Sequence, residues 1–335
     1  MTPASTEEER GLFPGEHPPC PPGPFSAAVV GAINMDLTGT PSSTLRPGDS
    51  NPGQIRLTPG GVGRNIAENL VRLGLDVTLL TALGRDPFGA ALRDHCRETG
   101  IDLSLALTLP GCGTSAYLCV TEPDGDLHTA VSDMSIYDRL LPDQFAFALP
   151  HLKGRDLVVL DANLPGETLA WLAGELSAPL AADPVSVAKA PRLKAVLPRL
   201  TLLKPNVPEA EVLTGMTIRT ESDLHAAADR LLAAGVKQVF LSLGGDGVLA
   251  CDAENHLRLP CFPGPIRNTT GCGDAFLAAV CLAWLRRLDL RTAARWGLAA
   301  AALCAEDPGA VCASLSPDRL AAYLGNADQS PLCNP

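Results

Sequence analysis

The segment NTTGCGDAF, Asn268 to Phe276, places Gly271, Cys272 and Gly273 directly before Asp274 and a long apolar run. Peptide N–H groups at a helix start lack intrahelical partners, and the helix dipole adds positive charge there, so such a turn can hold an anion. The glycines leave the backbone open to a phosphate. The chemistry that needs this arrangement is phosphoryl transfer: fixed donors meet the moving charge, and a carboxylate orients the attacking hydroxyl and takes its proton. With the helix starting near Asp274, that carboxylate is expected to be ionised at neutral pH. An ordinary turn with Asp274 as N-cap explains the same residues.

Other polar residues fall where apolar runs end. LLKPNVPEAEVL sets Asn206 and Glu209 three residues apart at a strand-to-helix junction, with Pro208 in the first helical turn. Oxygen ligands there suit a hydrated magnesium ion, and a helix cap with a dipole partner suits the pair equally. VFLSLGGDGVLA carries Ser242, Gly244 and Gly247 between two β-like runs, as a hairpin turn or a nucleotide loop. GAINMD puts Asn34 and Asp36 on one side of a strand, as a pair of hydroxyl-binding groups would be. TPGGVGRNIAENL supplies Gly60 and Gly61, suited to a hinge or to close ligand approach, and Asn65 at a helix opening; turn glycines and caps explain each singly. Neither GxxxxGK[ST] nor a strand-following GxGxxG occurs, which weighs against P-loop and dinucleotide-binding architectures.

These residues need a scaffold. FSAAVVGAIN reads as a first buried strand, and RNIAENLVRL as a helix with Ile66, Leu70 and Leu73 on one face, closed by Gly74. Strand–helix pairs recur: DLVVLD with GETLAWLAGEL, TLLKPN with PEAEVLTG, ESDLHAAADRLLAAG with VKQVFLSLG. That βαβ rhythm predicts a parallel sheet with helices on both faces and a ligand site at the carboxyl ends of the strands, where Asn163 and Asp183 also fall. TSAYLCVTEPDGDLHTAVS reads as a hairpin turning at Pro123 to Asp126, and with the turn-rich segment after Asp36 it forms a small separate sheet.

The 335 residues are 46% hydrophobic and 19% charged, which suits a well-buried core with a small appendage. A net charge of −11 opposes binding to nucleic acid or to an anionic membrane, leaving small-molecule chemistry. The 11 cysteines are odd in number and form no CxxC cluster, so neither a zinc site nor a disulfide framework is indicated. No apolar run reaches the roughly 18 residues of a membrane span, and the acidic MTPASTEEER is unlike a leader. A cytoplasmic protein is expected.

The motifs in this order, GAINMD, GGVGRN, NVPE, SLGGDG and TGCGD, resemble the ribokinase-like (PfkB) family of carbohydrate and nucleoside kinases, from Ser26 to Leu315. The resemblance implies a three-layer α/β/α sandwich with a small β-sheet lid, the lid drawn from residues 36–59 and 112–132. A kinase domain would then span 25–322, after a Pro/Gly-rich leader at 1–24 and before a short tail at 323–335. It implies ATP as donor, Mg2+ as metal, Asp274 as catalytic base, and an anion hole from Gly271, Cys272 and Gly273. Asn34, Asp36, Gly60, Gly61, Asn65 and Asn163 match acceptor-binding positions. Asn206 and Glu209 match the magnesium and phosphate element, and Ser242, Gly244, Gly247 and Thr270 the nucleotide site.

Within the family, GGVGRNIAENLVRLG and Asn268 are most similar to the pseudouridine kinases. That implies transfer of the ATP γ-phosphate to the 5′-hydroxyl of pseudouridine, a homodimer formed through the lid, and a pseudouridine-phosphate glycosidase as functional partner. The alternatives are another sugar or nucleoside, such as ribose, fructose or adenosine, and, from another class, a catalytically silent binding module. Two positions depart from the pattern. Many members carry Asp at Asn268, a position associated with a monovalent cation, so no potassium requirement carries over. Many carry Ala at Cys272.

Overall fold

In the first apolar run, Ala27 and Val29 pack with one layer of helices and Ala28 and Val30 with another; Leu157 and Val159 part from Val158 and Leu160 in the same way. Successive strand residues point to opposite faces, so a strand buried on both sides reads as an unbroken apolar run. The computed structural model describes residues 25–328, and the leader expected at 1–24 lies outside the described residues.

In chain order the strands are β1 (Ser26–Val30), β2 (Asn34–Pro41), β3 (Gly53–Gly60), β4 (Asp76–Leu80), β5 (Ala82–Leu83), β6 (Leu107–Thr108), β7 (Ala116–Thr121), β8 (Leu127–Asp133), β9 (Leu157–Asp161), β10 (Leu180–Asp183), β11 (Leu200–Leu203), β12 (Gln238–Ser242), β13 (Val248–Cys251) and β14 (His256–Leu259). The helices are α1 (Val62–Arg72), α2 (Pro87–Thr99), α3 (Leu149–Lys153), α4 (Gly166–Glu175), α5 (Val207–Thr214), α6 (Glu221–Ala233), α7 (Cys272–Leu285), α8 (Leu290–Ala305) and α9 (Pro317–Asp328).

The main sheet runs β14-β13-β12-β11-β10-β9-β1-β4, parallel from β4 to β12, and helices cover both faces as the ribokinase-like α/β fold requires. The expected all-parallel sheet is corrected at one edge, where β13 and β14 are antiparallel. The chain reverses there in the short turn Gly244–Asp246, too tight for the crossover that a parallel neighbour needs. Because β1, β9, β10, β11 and β12 share one direction, their carboxyl ends bring Asn163, Asp183, Asn206 and Ser242 to one edge.

A second sheet, β3-β2-β7-β8, stands outside these layers. The β7–β8 hairpin turns as expected, and β2 runs parallel to β7. Leu57, Leu37, Leu118 and Val131 lie directly opposite one another across its strands and so share a face, the one turned away from Asn34 and Asp36.

Two boundaries differ from expectation. Helix α1 begins at Val62, two residues before Arg64, because Gly61 at φ 99° turns the chain into it. Residues 323–328, expected in the tail, extend α9, and the Tyr323 ring meets Phe262 edge-on at 5.8 Å. Among the described residues, no helix is long and apolar enough to cross a membrane.

Candidate active site

Helix α7 starts at Cys272 rather than near Asp274, with Gly271 as its N-cap in the left-handed region at φ 80°. A Cβ at Gly271 would collide with the Ala310 carbonyl oxygen, so only glycine fits. The first α-helical bond runs from the Ala275 N–H to the Gly271 carbonyl, at 2.9 Å. Cys272 donates to the Thr269 carbonyl at 3.4 Å, which weakens its claim as an anion donor and leaves Gly273 and Asp274 to supply the early helix amides. Thr270 stands exposed in front, its N–H held by the Asn268 side-chain oxygen at 2.9 Å.

Asp274 lies in the first turn, 7% exposed. Its Oδ2 accepts from Asn65 Nδ2 at 2.7 Å, joining α7 to α1. Asn65 Oδ1 is buried with no partner, and such an acceptor costs free energy until a donor reaches it. A second hydroxyl of a sugar acceptor would supply that donor, leaving the reacting hydroxyl free to donate to Asp274.

The expectation that Asp274 is a fully ionised carboxylate is corrected. Burial first, and the nearby Asp183 second, push its carboxyl up to about 7, against the Asn65 hydrogen bond and the charges of Lys204 and Arg64. A helix N-terminus lowers a carboxyl group, but desolvation outweighs it here. A base tuned close to neutrality suits proton transfer. Because only the ionised form accepts a proton, kcat/KM is expected to climb as pH is raised through about 7. A flat profile down to pH about 5 would mean an ordinary aspartate.

Asn34 and Asp36 do share a side: Asn34 Nδ2 donates to Asp36 Oδ1 at 2.5 Å. Burial is the main reason the Asp36 carboxyl titrates above its usual range. Gly60 and Gly61, suited by sequence to a hinge or to close approach, are closely packed against their own chain. A Cβ on Gly60 would strike the Asp36 carboxylate, and one on Gly61 would lie 2.5 Å from the Ala32 carbonyl oxygen.

Arg64 ties this corner together. Its guanidinium donates to the carbonyls of Pro59 and Gly60 at the end of β3 and pairs with Glu68 at 2.8 Å, both side chains nearly inaccessible. Arg72 and His95 also reach Glu68. Burial raises the Glu68 carboxyl most strongly, yet its bonds and charges from His95, Arg64 and Arg72 prevail and hold it down at about 2.

Asn163 follows β9. Its N–H donates to Asp161 Oδ1 at 2.9 Å, and the other Asp161 oxygen accepts from the Ala32 N–H at 2.7 Å, so Asn163 stands beside the chain leading to Asn34. Its side-chain oxygen accepts from Lys189, whose ammonium is disfavoured by burial.

Asn206, Ser242 and Gly244 line one groove of about 540 Å3, with Arg219, Asp246 and Arg258 on its walls, a size within the range of small-molecule sites. Asn206 and Glu209 form a reciprocal capping box: Asn206 Oδ1 accepts from the Glu209 N–H and Glu209 Oε2 from the Asn206 N–H, each at 2.9 Å. The structural reading of that pair is thus realised. The Ser242 N–H donates to the Pro205 carbonyl at 2.8 Å, stitching the two motifs together. Gly247 does not line the groove. It is the end of the β12–β13 turn, at φ 94°, where a Cβ would collide with Leu259 of β14.

The donors fit a magnesium ion. Glu209 offers hard oxygen, and the carboxyl groups of Asp183, Glu209 and Asp274 outnumber the cations Lys204 and Arg64 that act on them, so a further positive charge is favoured. Among the described residues no group of three or more His, Cys, Asp or Glu side chains is arranged to grip a metal directly, so the ion would keep much of its water.

The family model of the pfkB carbohydrate kinases matches residues 25–316. The chain belongs to the pfkB family of carbohydrate kinases. Its members are phosphotransferases acting on hydroxyl groups. The chain is 34% identical over 273 residues to pseudouridine kinase of Escherichia coli, covering 80% of this chain and 86% of that one. A carbohydrate kinase from Agrobacterium tumefaciens superposes with a TM-score of 0.81 at 31% identity, covering 90% and 97%. Arabidopsis thaliana ribokinase, solved with ribose and ATP, shares the fold at a TM-score of 0.79 and 22% identity, covering 92% and 100%.

Around this pfkB site stand residues that motif reading missed. Lys204 lies inside LLKPN, at the end of a strand, and that position was a usable signal. Arg64 and Glu68 sit at helical i,i+4 spacing, which on an exposed helix marks an ordinary surface pair. Nothing in the sequence marks them as buried. Lys189 lies in a loop with no pattern at all.

Proposed function

We propose that this pfkB kinase transfers the γ-phosphate of ATP to the 5′-hydroxyl of pseudouridine, releasing ADP and pseudouridine 5′-phosphate. The observation that carries the transfer is the Asn65–Asp274 contact, with its waiting acceptor, at the N-terminus of α7. The choice of pseudouridine rests on the 34% identity to the Escherichia coli enzyme.

Asn34, Asp36 and Asn65 hold the ribose, with Asn163 and Lys189 beyond them. Asp274 takes the hydroxyl proton as the oxygen attacks in line, and the Gly271 to Gly273 turn, chiefly through the free amides of Gly273 and Asp274, receives the charge of the moving phosphoryl group. Ser242, Gly244 and Thr270 take the nucleotide. Asn206 and Glu209 would hold a magnesium ion, which would supply charge neutralisation on the phosphates.

The kinase domain spans 25–322, with the second sheet acting as a lid that closes over the acceptor and excludes water. Leu57, Leu118 and Val131, 51%, 45% and 64% exposed on the outer face of that sheet, support a homodimer formed lid to lid. A cytoplasmic setting and a pseudouridine-phosphate glycosidase consuming the product complete this reading.

Ribose is the second reading, favoured by the 27% identity over 282 residues to ribokinase of Bacillus subtilis. Incubation with ATP and a panel of ribose, fructose, adenosine, uridine and pseudouridine, followed by mass spectrometry, separates the two. The expected result is gain of one phosphate on pseudouridine at a rate at least about tenfold above the others, the scale of one lost specific contact. Preference for ribose would overturn the substrate assignment, and no phosphorylation of any acceptor would overturn the kinase reading.

A further inference from the structure

Beneath the α7 turn lies an ion pair that the mechanism has not used. Lys204, just after β11, is 7% exposed, and its Nζ stands 3.3 Å from Oδ2 of Asp183, itself 5% exposed at the end of β10. The ammonium occupies the side of Gly273 where a side chain would begin: a Cβ there would fall 2.7 Å from Nζ. Asp183 is fixed from its other side, its Oδ1 accepting from the Val185 N–H at 2.7 Å. Val185 reaches that position at φ 67°, a left-handed conformation that a β-branched residue adopts only under constraint.

A buried ion pair is weak evidence for stability, because desolvating two charges offsets their attraction and apolar side chains often do as well. Its place, against the residue preceding the catalytic carboxylate, points to another use. Resting on the assignment of Asp274 as base, we propose that Lys204 and Asp183 are positioning residues for phosphoryl transfer. Lys204 braces the first turn of α7 through the open side of Gly273, and the two opposite charges together fix the field in which Asp274 works.

The charged groups facing Asp274 are Arg64 from α1, Asp183 from β10 and Lys204 after β11, with the Asn65 amide as its hydrogen-bond donor. Asp183 favours the protonated carboxyl, and Lys204 and Arg64 favour the ionised one. The two members of the pair therefore act on Asp274 in opposite directions.

The test is the pH profile of kcat/KM for Lys204→Met, Asp183→Asn and the double variant, each checked for folding by circular dichroism and urea midpoint. Lys204→Met is expected to move the acid limb to higher pH and to lower kcat roughly tenfold or more through the loosened turn, with KM for ATP changed less. Asp183→Asn is expected to move the limb to lower pH, and the double variant to bring it back toward wild type. Asp183→Asn alone decides the matter if Lys204→Met fails to fold. Limbs that stay in place, or move together, in folded variants overturn the inference. Full activity of Asp274→Asn, measured alongside, would instead overturn the assignment of the base on which it rests.

Discussion

Asp274→Asn is expected to lower kcat by about 10²–10⁴-fold, the usual contribution of a positioned general base, while folding and ATP binding stay close to wild type. The amide has the carboxylate's shape and can turn its oxygen toward Asn65 Nδ2, so the contact between α1 and α7 survives. It cannot accept the hydroxyl proton. Stability should not fall, because the substitution removes a buried negative charge that stands near Asp183. Steady-state turnover beside calorimetric titration of ATP checks the split: lost kcat with unchanged ATP affinity is the predicted pattern, and full turnover contradicts it.

Glu68→Leu should produce the largest loss of stability. Arg64 would remain buried without its carboxylate, and breaking a buried pair by removing one partner costs about 3–5 kcal/mol. Urea unfolding at neutral pH measures it. The pH dependence has a defined sign. Glu68 is held at about 2 in the folded protein, below its unfolded value, so its contribution is complete above the unfolded value and fades as pH falls toward 2. The gap between wild type and variant should therefore narrow from pH about 5 downward. A gap that widens with acid would contradict the assignment. Because Arg64 also holds the Pro59 and Gly60 carbonyls, the variant should loosen the base of the second sheet as well.

The pfkB architecture was legible because its strands announce themselves twice, once as apolar runs and once by the polar residue that follows each. Asn34, Asp36, Asn206 and Ser242 were found that way, and the structure pairs the first two with each other on β2 and brings the last two into one groove. The edge antiparallel strands were missed as part of the main sheet because a hairpin motif does not say which sheet receives it. The start of α7 was misplaced because Gly271 and Gly273 look alike in sequence. Only the left-handed φ of Gly271 and the collision awaiting a Cβ there set it apart as the cap. The charge of Asp274 was misjudged for a related reason: its helix position is local and visible, whereas its burial and the approach of Asp183 are tertiary. Lys204 belongs to the same class, since its partner Asp183 lies on another strand; Glu68 has local partners in Arg64 and Arg72, and only its burial leaves no local trace.

The central claim is that phosphoryl transfer takes place at the N-terminus of α7. A crystal structure with pseudouridine and a non-hydrolysable ATP analogue tests it most directly. The account predicts the 5′-oxygen within hydrogen-bond reach of Asp274 and the terminal phosphate against the Gly271 to Gly273 backbone. Both ligands bound away from that turn would contradict it.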